Sequence, residues 1–223
     1  MAKTTLIADV DLIRHLQREN SIPKNGFHLE LPEEEFANIL FACYINCVEE
    51  RGRVFIRTPK LEEAIWEIAG KLTTPSYRFG MILTGSCGNG KTTMLRAIRK
   101  AIFYIMNVNS KIIPDYCNLA RSVPMISAKD IIENILVRRA NYMEPDILMI
   151  DDLGSEPTEV VHYTRIHTPL IDLLEARYAR QKVTFISTNL SLTELGTKYK
   201  GRLADRFDEM MWDVAFTDDS FRF

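Results

Sequence analysis

The chain's densest cluster of chemically capable residues is Gly85-Ser86-Cys87-Gly88-Asn89-Gly90-Lys91-Thr92. It fits G-x-x-x-x-G-K-[ST] in full, with an apolar run before it and a helical pattern after it. Glycines at this spacing let the backbone turn inward, so that successive N–H groups face one anion. A helix opening at Lys91 adds the positive end of its dipole. Lys91 is expected to reach the β- and γ-phosphates as a compact charge, and Thr92 to offer its hydroxyl to Mg2+. Thr93 either joins the phosphate contacts or packs. Further along, Ile147-Leu148-Met149-Ile150-Asp151-Asp152 sets two carboxylates after four apolar residues. A buried strand would deliver Asp151 to the C-terminal edge of a sheet, where doubly wound folds place ligands. Asp151 would then hold Mg2+, and Asp152 would orient an attacking water and draw off its proton. Together the two motifs imply ATP and Mg2+ as cofactors, with hydrolysis or exchange of the nucleotide. Transfer to a second substrate is compatible with both.

Two later groups could complete such a site. Ile186-Ser187-Thr188-Asn189 ends another apolar run on polar residues. The Asn189 amide can both donate and accept, although Asn is also a common turn former after a strand. Arg202 and Arg206 lie four apart and share one helix face. They could stabilise phosphate charge, including that of a neighbouring subunit's ATP, or form a solvated face with Asp205 as counter-ion.

The elements that must position these residues follow from periodicity. Leu6, Val10, Ile13 and Leu16 form a helical stripe. A second helix is expected from Pro32, with Glu33, Glu34 and Glu35 in its first turn and a stripe of Phe36, Leu40, Cys43, Cys47 and Val48, ending at Arg51-Gly52. A third starts at Pro59 and carries Leu61, Ile65, Ile68 and Leu72. Met81–Leu83 reads as a buried strand, and 91–106 as a helix with Met94, Ala97, Ala101 and Ile102 on one face. Further strands are expected at 123–127, 147–150, 183–187 and 211–216, and helices at 128–139, 170–180, 192–199 and 203–210. Strands alternating with helices from residue 80 onward imply an α/β fold, with a parallel sheet covered on both faces.

Composition sets the outer limits. The chain has 223 residues, 46% of them hydrophobic and 26% charged, with a net charge of −2. That is ordinary globular composition with room for one sizeable core. Acids near the N-terminus and the absence of a long apolar run point away from a signal peptide and a membrane, and to a cytoplasmic protein. Residues 1–50 carry 4 basic and 9 acidic side chains, the rest 24 and 21. This balance does not suit gripping duplex DNA by charge alone, and the acidic part more plausibly meets protein. Cys43 and Cys47 have no second ligand pair nearby and read as core thiols; Cys87 lies within the phosphate loop.

The segments GSCGNGKTT, ILMIDDLGSE, EARY, STNL, KYKGRLADRF and the closing DSFR, in this order over residues 50–223, resemble the DnaC/DnaI helicase loaders and the related IstB transposition ATPases. The resemblance implies a P-loop AAA+ core with a five-stranded parallel sheet in the order 5-1-4-3-2. The resemblance covers an ATP-binding domain over 53–223 with a rudimentary or absent lid, and leaves 1–52 as a helical N-terminal extension, a candidate partner-binding region. It makes Asn189 the sensor I residue, Arg202 or Arg206 the arginine acting in trans, and Arg222 the sensor II arginine. Self-association into ATP-dependent oligomers, a replicative helicase and single-stranded DNA are the implied partners, with Lys129, Arg138 and Arg139 as candidate DNA contacts. An IstB-like transposition helper and a nucleotide-dependent adaptor with little turnover are the alternatives. A small-molecule P-loop kinase would need an arginine-rich lid, which the pair Arg202/Arg206 supplies poorly. Two departures stand out: the Tyr-Gly-x-Arg box reads Tyr199-Lys200-Gly201-Arg202, and the acidic pair is Asp-Asp rather than Asp-Glu.

Overall fold

Among the described residues, two helices precede the sheet. The computed structural model describes residues 27–108, 123–132, 140–162, 165–199 and 202–218. Helix α1 (Glu33–Glu49) follows Pro32, which is the N-cap at φ −58° and ψ 140° rather than part of the first turn. An extended ψ is what an N-cap requires, and the proline ring fixes only φ. No side chain caps this end, and Glu33, Glu34 and Glu35 place negative charge there instead. Its buried side chains are Phe36, Ala37, Leu40, Tyr44 and Cys47, so Ala37 and Tyr44 take inner places where Cys43 and Val48 are only half-buried. Gly52, at φ 67°, lets the chain leave the helix. Helix α2 (Pro59–Thr73) has Thr58 as N-cap, whose Oγ1 accepts from the Leu61 N–H at 3.1 Å, and Pro59 at its start. Its expected stripe of Leu61, Ile65, Ile68 and Leu72 is buried.

The sheet elements follow in turn: β1 (Gly80–Gly85), α3 (Lys91–Val108), β2 (Met125–Ser127), helical residues 128–132, α4 (Ala140–Met143), β3 (Ile147–Leu153), β4 (Val160–His162), β5 (Arg165–His167), α5 (Pro169–Ala179), β6 (Val183–Thr188), α6 (Leu192–Lys198), α7 (Arg202–Met210) and β7 (Met211–Phe216). Strands β2-β3-β6-β1-β7 form one five-stranded sheet, parallel in every pairing. Counting only these five strands, the order is 2-3-4-1-5, the expected topology read from the other edge. The apolar parts of β1, β3 and β6 are buried throughout, as strands covered on both faces must be. The antiparallel pair β4–β5 and the one-turn α4 were not expected from the sequence, because three or four residues carry no readable period. The expected helix at 6–16 and the second half of that at 128–139 lie outside the described residues.

Two side-chain devices hold this frame. Strand β7 is an edge, and two of its carbonyls are plugged: Lys71 Nζ donates to Asp213 O at 2.7 Å, and Arg78 donates to Met211 O. Arg78 also lies over the Trp212 ring at 4.6 Å. Covering an edge in this way removes a template for pairing with another chain. Arg177, on α5, is 1% exposed and donates to Val183 O at 2.6 Å and to Thr184 Oγ1, Tyr142 O and Pro145 O at 2.9 Å. One guanidinium thereby ties α5, β6 and the approach to β3 together. Burial pulls its pKa down to about 9, with Asp146 opposing, so it stays charged at neutral pH.

Candidate nucleotide site

The strand order places the C-terminal ends of β1, β3 and β6 side by side, and the chemically capable residues sit at those ends. Gly85 turns the chain out of β1 at φ 138°, and a Cβ there would stand 2.3 Å from Phe216 O. Only glycine passes so close to β7. Asn89 closes the loop from the other side: its Nδ2 donates to Phe216 O at 2.7 Å. The Lys91 ammonium donates to Gly85 O at 2.8 Å, Ser86 O at 2.6 Å and Asn89 Oδ1 at 3.0 Å, which holds it at the mouth of the loop. Helix α3 begins at Lys91, and N–H groups of a first turn have no intrahelical acceptor.

The acidic pair is held by hydroxyls. Thr92 Oγ1 donates to Asp151 Oδ1 at 2.9 Å, and Ser187 Oγ donates to the same oxygen at 2.5 Å. Ser187 Oγ in turn accepts from the Asp152 N–H at 2.9 Å. Asp152 takes φ 59°, where the β3–β6 register shifts between Ile150 and Leu153. Asp tolerates the left-handed region better than most residues, and the shift ends regular pairing there. The Asp152 carboxylate then meets Asn189, whose Nδ2 donates to Oδ1 at 2.8 Å.

Behind this pair lies a buried lock. Glu156, 2% exposed, accepts from the Gly154 N–H at 2.9 Å and from Tyr199 OH. Lys198 Nζ donates to Gly154 O at 2.8 Å and Glu156 O at 2.6 Å. Burial, and then the bond to Glu156, push the Tyr199 phenol far above its usual range. Tyr199 thereby fixes the chain three residues before Arg202 to the turn after the acidic pair.

Lys91, Thr92, Thr93, Asp151, Asp152, Ser187 and Asn189 line one cleft of about 790 Å³ with the rest of the phosphate loop from Cys87. Its far wall carries the apolar side chains of Tyr44 and Val48 on α1 and of Val54, Phe55 and Ile56, interleaved with Arg51 and Arg53. Val54 is 86% exposed and Ile56 47%. Sequence reasoning missed this wall, because 53–58 has no secondary structure and no motif. It also passed over Ser187, whose signal was a buried hydroxyl ending an apolar strand.

Arg206 lies apart from this cluster. Arg206, on α7, pairs with Glu175 Oε1 at 2.7 Å and stands over the Tyr178 ring at 5.3 Å. The Arg202 side chain, Arg138, Arg139 and Arg222 fall outside the described residues. Lys129 is exposed at the start of the helical stretch after β2.

The donor set suits MgATP. A hard divalent cation takes oxygen ligands and keeps several waters, so a hydroxyl and a carboxylate beside a triphosphate suffice. Thr92 and Asp151 supply that pair, and the cleft volume falls within the usual range for small ligands. Among the described residues, no helix is long and apolar enough to cross a membrane.

No protein-family model and no curated protein matches the sequence. Solved structures do match. That of the DnaC helicase loader aligns at a TM-score of 0.56 and 21% identity, over 78% of this chain and 98% of that one. That of DnaI aligns at 0.52 and 19%, over 87% and 99%. The chain thus shares the α/β fold of those two structures, built on a five-stranded parallel sheet.

Proposed function

We propose that this protein binds and hydrolyses ATP and acts in DNA replication as a DnaC-like loader of a replicative helicase. The observation that carries the first part is the convergence of Lys91, Thr92, Asp151, Asp152 and Asn189 on one cleft. The loop amides and Lys91 hold the phosphates, and Thr92 with Asp151 holds Mg2+. When bound, the metal offsets phosphate charge. Asp152 orients the attacking water and accepts its proton, and Asn189 keeps that carboxylate aimed. Val54 and Ile56 cover the base.

The loader role is supported by the fold and by the motif set at residues 50–223. On this reading the protein assembles into ATP-dependent oligomers, with single-stranded DNA as a further ligand and residues 1–52 as the partner-contacting extension. Arg202 is the better candidate for the arginine acting in trans, because Arg206 is committed to Glu175 and Tyr178. Low turnover is the second reading. It is favoured by the Asp152 side chain, one methylene shorter than the Glu of an Asp-Glu pair.

Calorimetry and phosphate-release assays on wild type, Lys91→Ala and Asp152→Asn test the chemistry. Lys91→Ala is expected to lose MgATP binding. Asp152→Asn is expected to keep binding within about threefold and lose turnover by about a hundredfold. Negligible turnover in wild type, unchanged in Asp152→Asn, would leave the adaptor reading. Pull-downs with ATP, comparing wild type with Lys91→Ala, test the loader role: a replicative helicase retained only by wild type is the expected result.

A further inference from the structure

Arg96 stands in α3 four residues after Thr92, one turn on and on the same face. Long side chains on a helix lie back over the turn N-terminal to their own Cα. By that rule Arg96 leans toward Thr92, whose hydroxyl is bonded to Asp151, while its charge also reaches the Cys47 thiol on α1. Arg96 is exposed, and it lines two clefts at once. One is the nucleotide cleft. The other, of about 520 Å³, opens between the end of α1, α3 and the end of β2, and Asp151 and Arg51 line both as well. Arg96 therefore sits on the wall the two clefts share, at the metal end of the phosphate site.

The neighbouring cations on α3 are committed elsewhere. Lys100 Nζ donates to Asn46 Oδ1 and Glu50 Oε1, both at 2.6 Å. Arg99 donates through Nε to Val123 O at 2.7 Å and stands over the Phe103 ring at 5.2 Å. Arg96 is the guanidinium of this helix that faces the nucleotide cleft. A planar fork beside a terminal phosphate offers two parallel charge-assisted bonds.

We propose that Arg96 is a specificity-determining residue of this cleft, binding the terminal phosphate of a nucleoside triphosphate within its own subunit and so favouring triphosphate over diphosphate. The proposal rests on the nucleotide-binding reading above. On that reading Thr92 and Asp151 hold a metal that serves the second and third phosphates alike, so Arg96 discriminates through the extra charge that only a triphosphate brings beside it. The ratio of the two affinities is therefore the quantity Arg96 controls.

The test is calorimetry of the full chain with Mg2+ and either ADP or a non-hydrolysable ATP analogue, for wild type, Arg96→Ala, Arg96→Gln and Arg96→Lys. Loss of the guanidinium is expected to weaken the ATP analogue by about tenfold and ADP by less than about twofold, with Arg96→Lys in between. ADP binding serves as the control for folding, and Arg96→Gln stands in if Arg96→Ala fails to fold. Equal changes for both ligands, including no change, overturn the proposal. Wild type that binds neither ligand overturns the nucleotide-binding reading, and this proposal with it.

Discussion

At the scale of single residues, the site depends on which hydroxyl faces which carboxylate. Ser187 both donates to Asp151 and accepts from the backbone of Asp152, so one side chain aims two acids. It is 1% exposed, and nothing replaces it if it is removed. Ser187→Ala leaves the Asp152 N–H without its partner, at about 1–3 kcal/mol, and loosens both carboxylates. Turnover is expected to fall about tenfold while nucleotide affinity changes less than about threefold, as phosphate release and calorimetry would show. The cysteines give an independent probe of the loop. Cys87 is exposed, whereas burial raises the thiol pKa values of Cys43 and Cys47 and slows their alkylation. Maleimide labelling read by peptide mapping is expected to modify Cys87 ahead of those two, and MgATP to protect it. Labelling of Cys87 unaffected by MgATP would count against the loop as the phosphate site.

At the scale of elements, the acidic turn and the arginine helix are joined through Glu156. Its carboxylate takes the Gly154 N–H and the Tyr199 hydroxyl in a setting closed to water. Glu156→Ala strands both donors and is expected to cost about 2–4 kcal/mol of stability. Tyr199→Phe leaves Glu156 Oε1 without its donor but keeps the Gly154 bond, and is expected to cost less, about 1–3 kcal/mol. Chemical denaturation of the two variants checks the order; equal or negligible losses would mean that water enters the turn. Helix α6 shows how much of this architecture was legible in order of residues: Ser191 and Glu194 form a reciprocal capping box just before its apolar residues. The link from Glu156 to Tyr199 was not legible, because those two residues are far apart in sequence and no local period or spacing joins them. Arg177 is a similar case. A lone arginine in a helical stripe reads as surface, and only the assembled carbonyls of four residues make a buried charge tolerable.

At the scale of the whole molecule, burial should show in the response to alkali. The Tyr44 phenol is raised from 10.0 to about 12, chiefly by burial and next by Asp218. A folded-state pKa above the unfolded one means that its contribution is complete below pH 10 and is lost as pH rises toward 12. Arg177 works in the opposite sense: its lowered pKa costs stability below about 9, a cost relieved above it. Comparing wild type with Tyr44→Phe cancels the arginine. The stability difference between them is expected to shrink from pH 10 to 12, by at most about 1.4 kcal/mol per unit. A difference independent of pH would show that the phenol is not confined in the folded core. Tyr44 lines the nucleotide cleft and packs edge-on against Phe55, so the same burial that shifts its titration shapes the apolar wall.

The order of residues by itself determined the phosphate loop, the acidic strand end and the alternation of strands and helices, because each is a local pattern: a spacing, an apolar run, a period. The strand order came with the resemblance, and the hydrogen-bonded sheet bears it out. Only the tertiary structure decided that Ser187 serves both acids, that Glu156 locks Tyr199, that Arg206 is tied to Glu175, and that Arg96 stands between two clefts. Those are contacts between side chains distant in sequence or directions of side chains within a packed frame. Local propensity carries no information about them, because they form only once the sheet has brought its strand ends together.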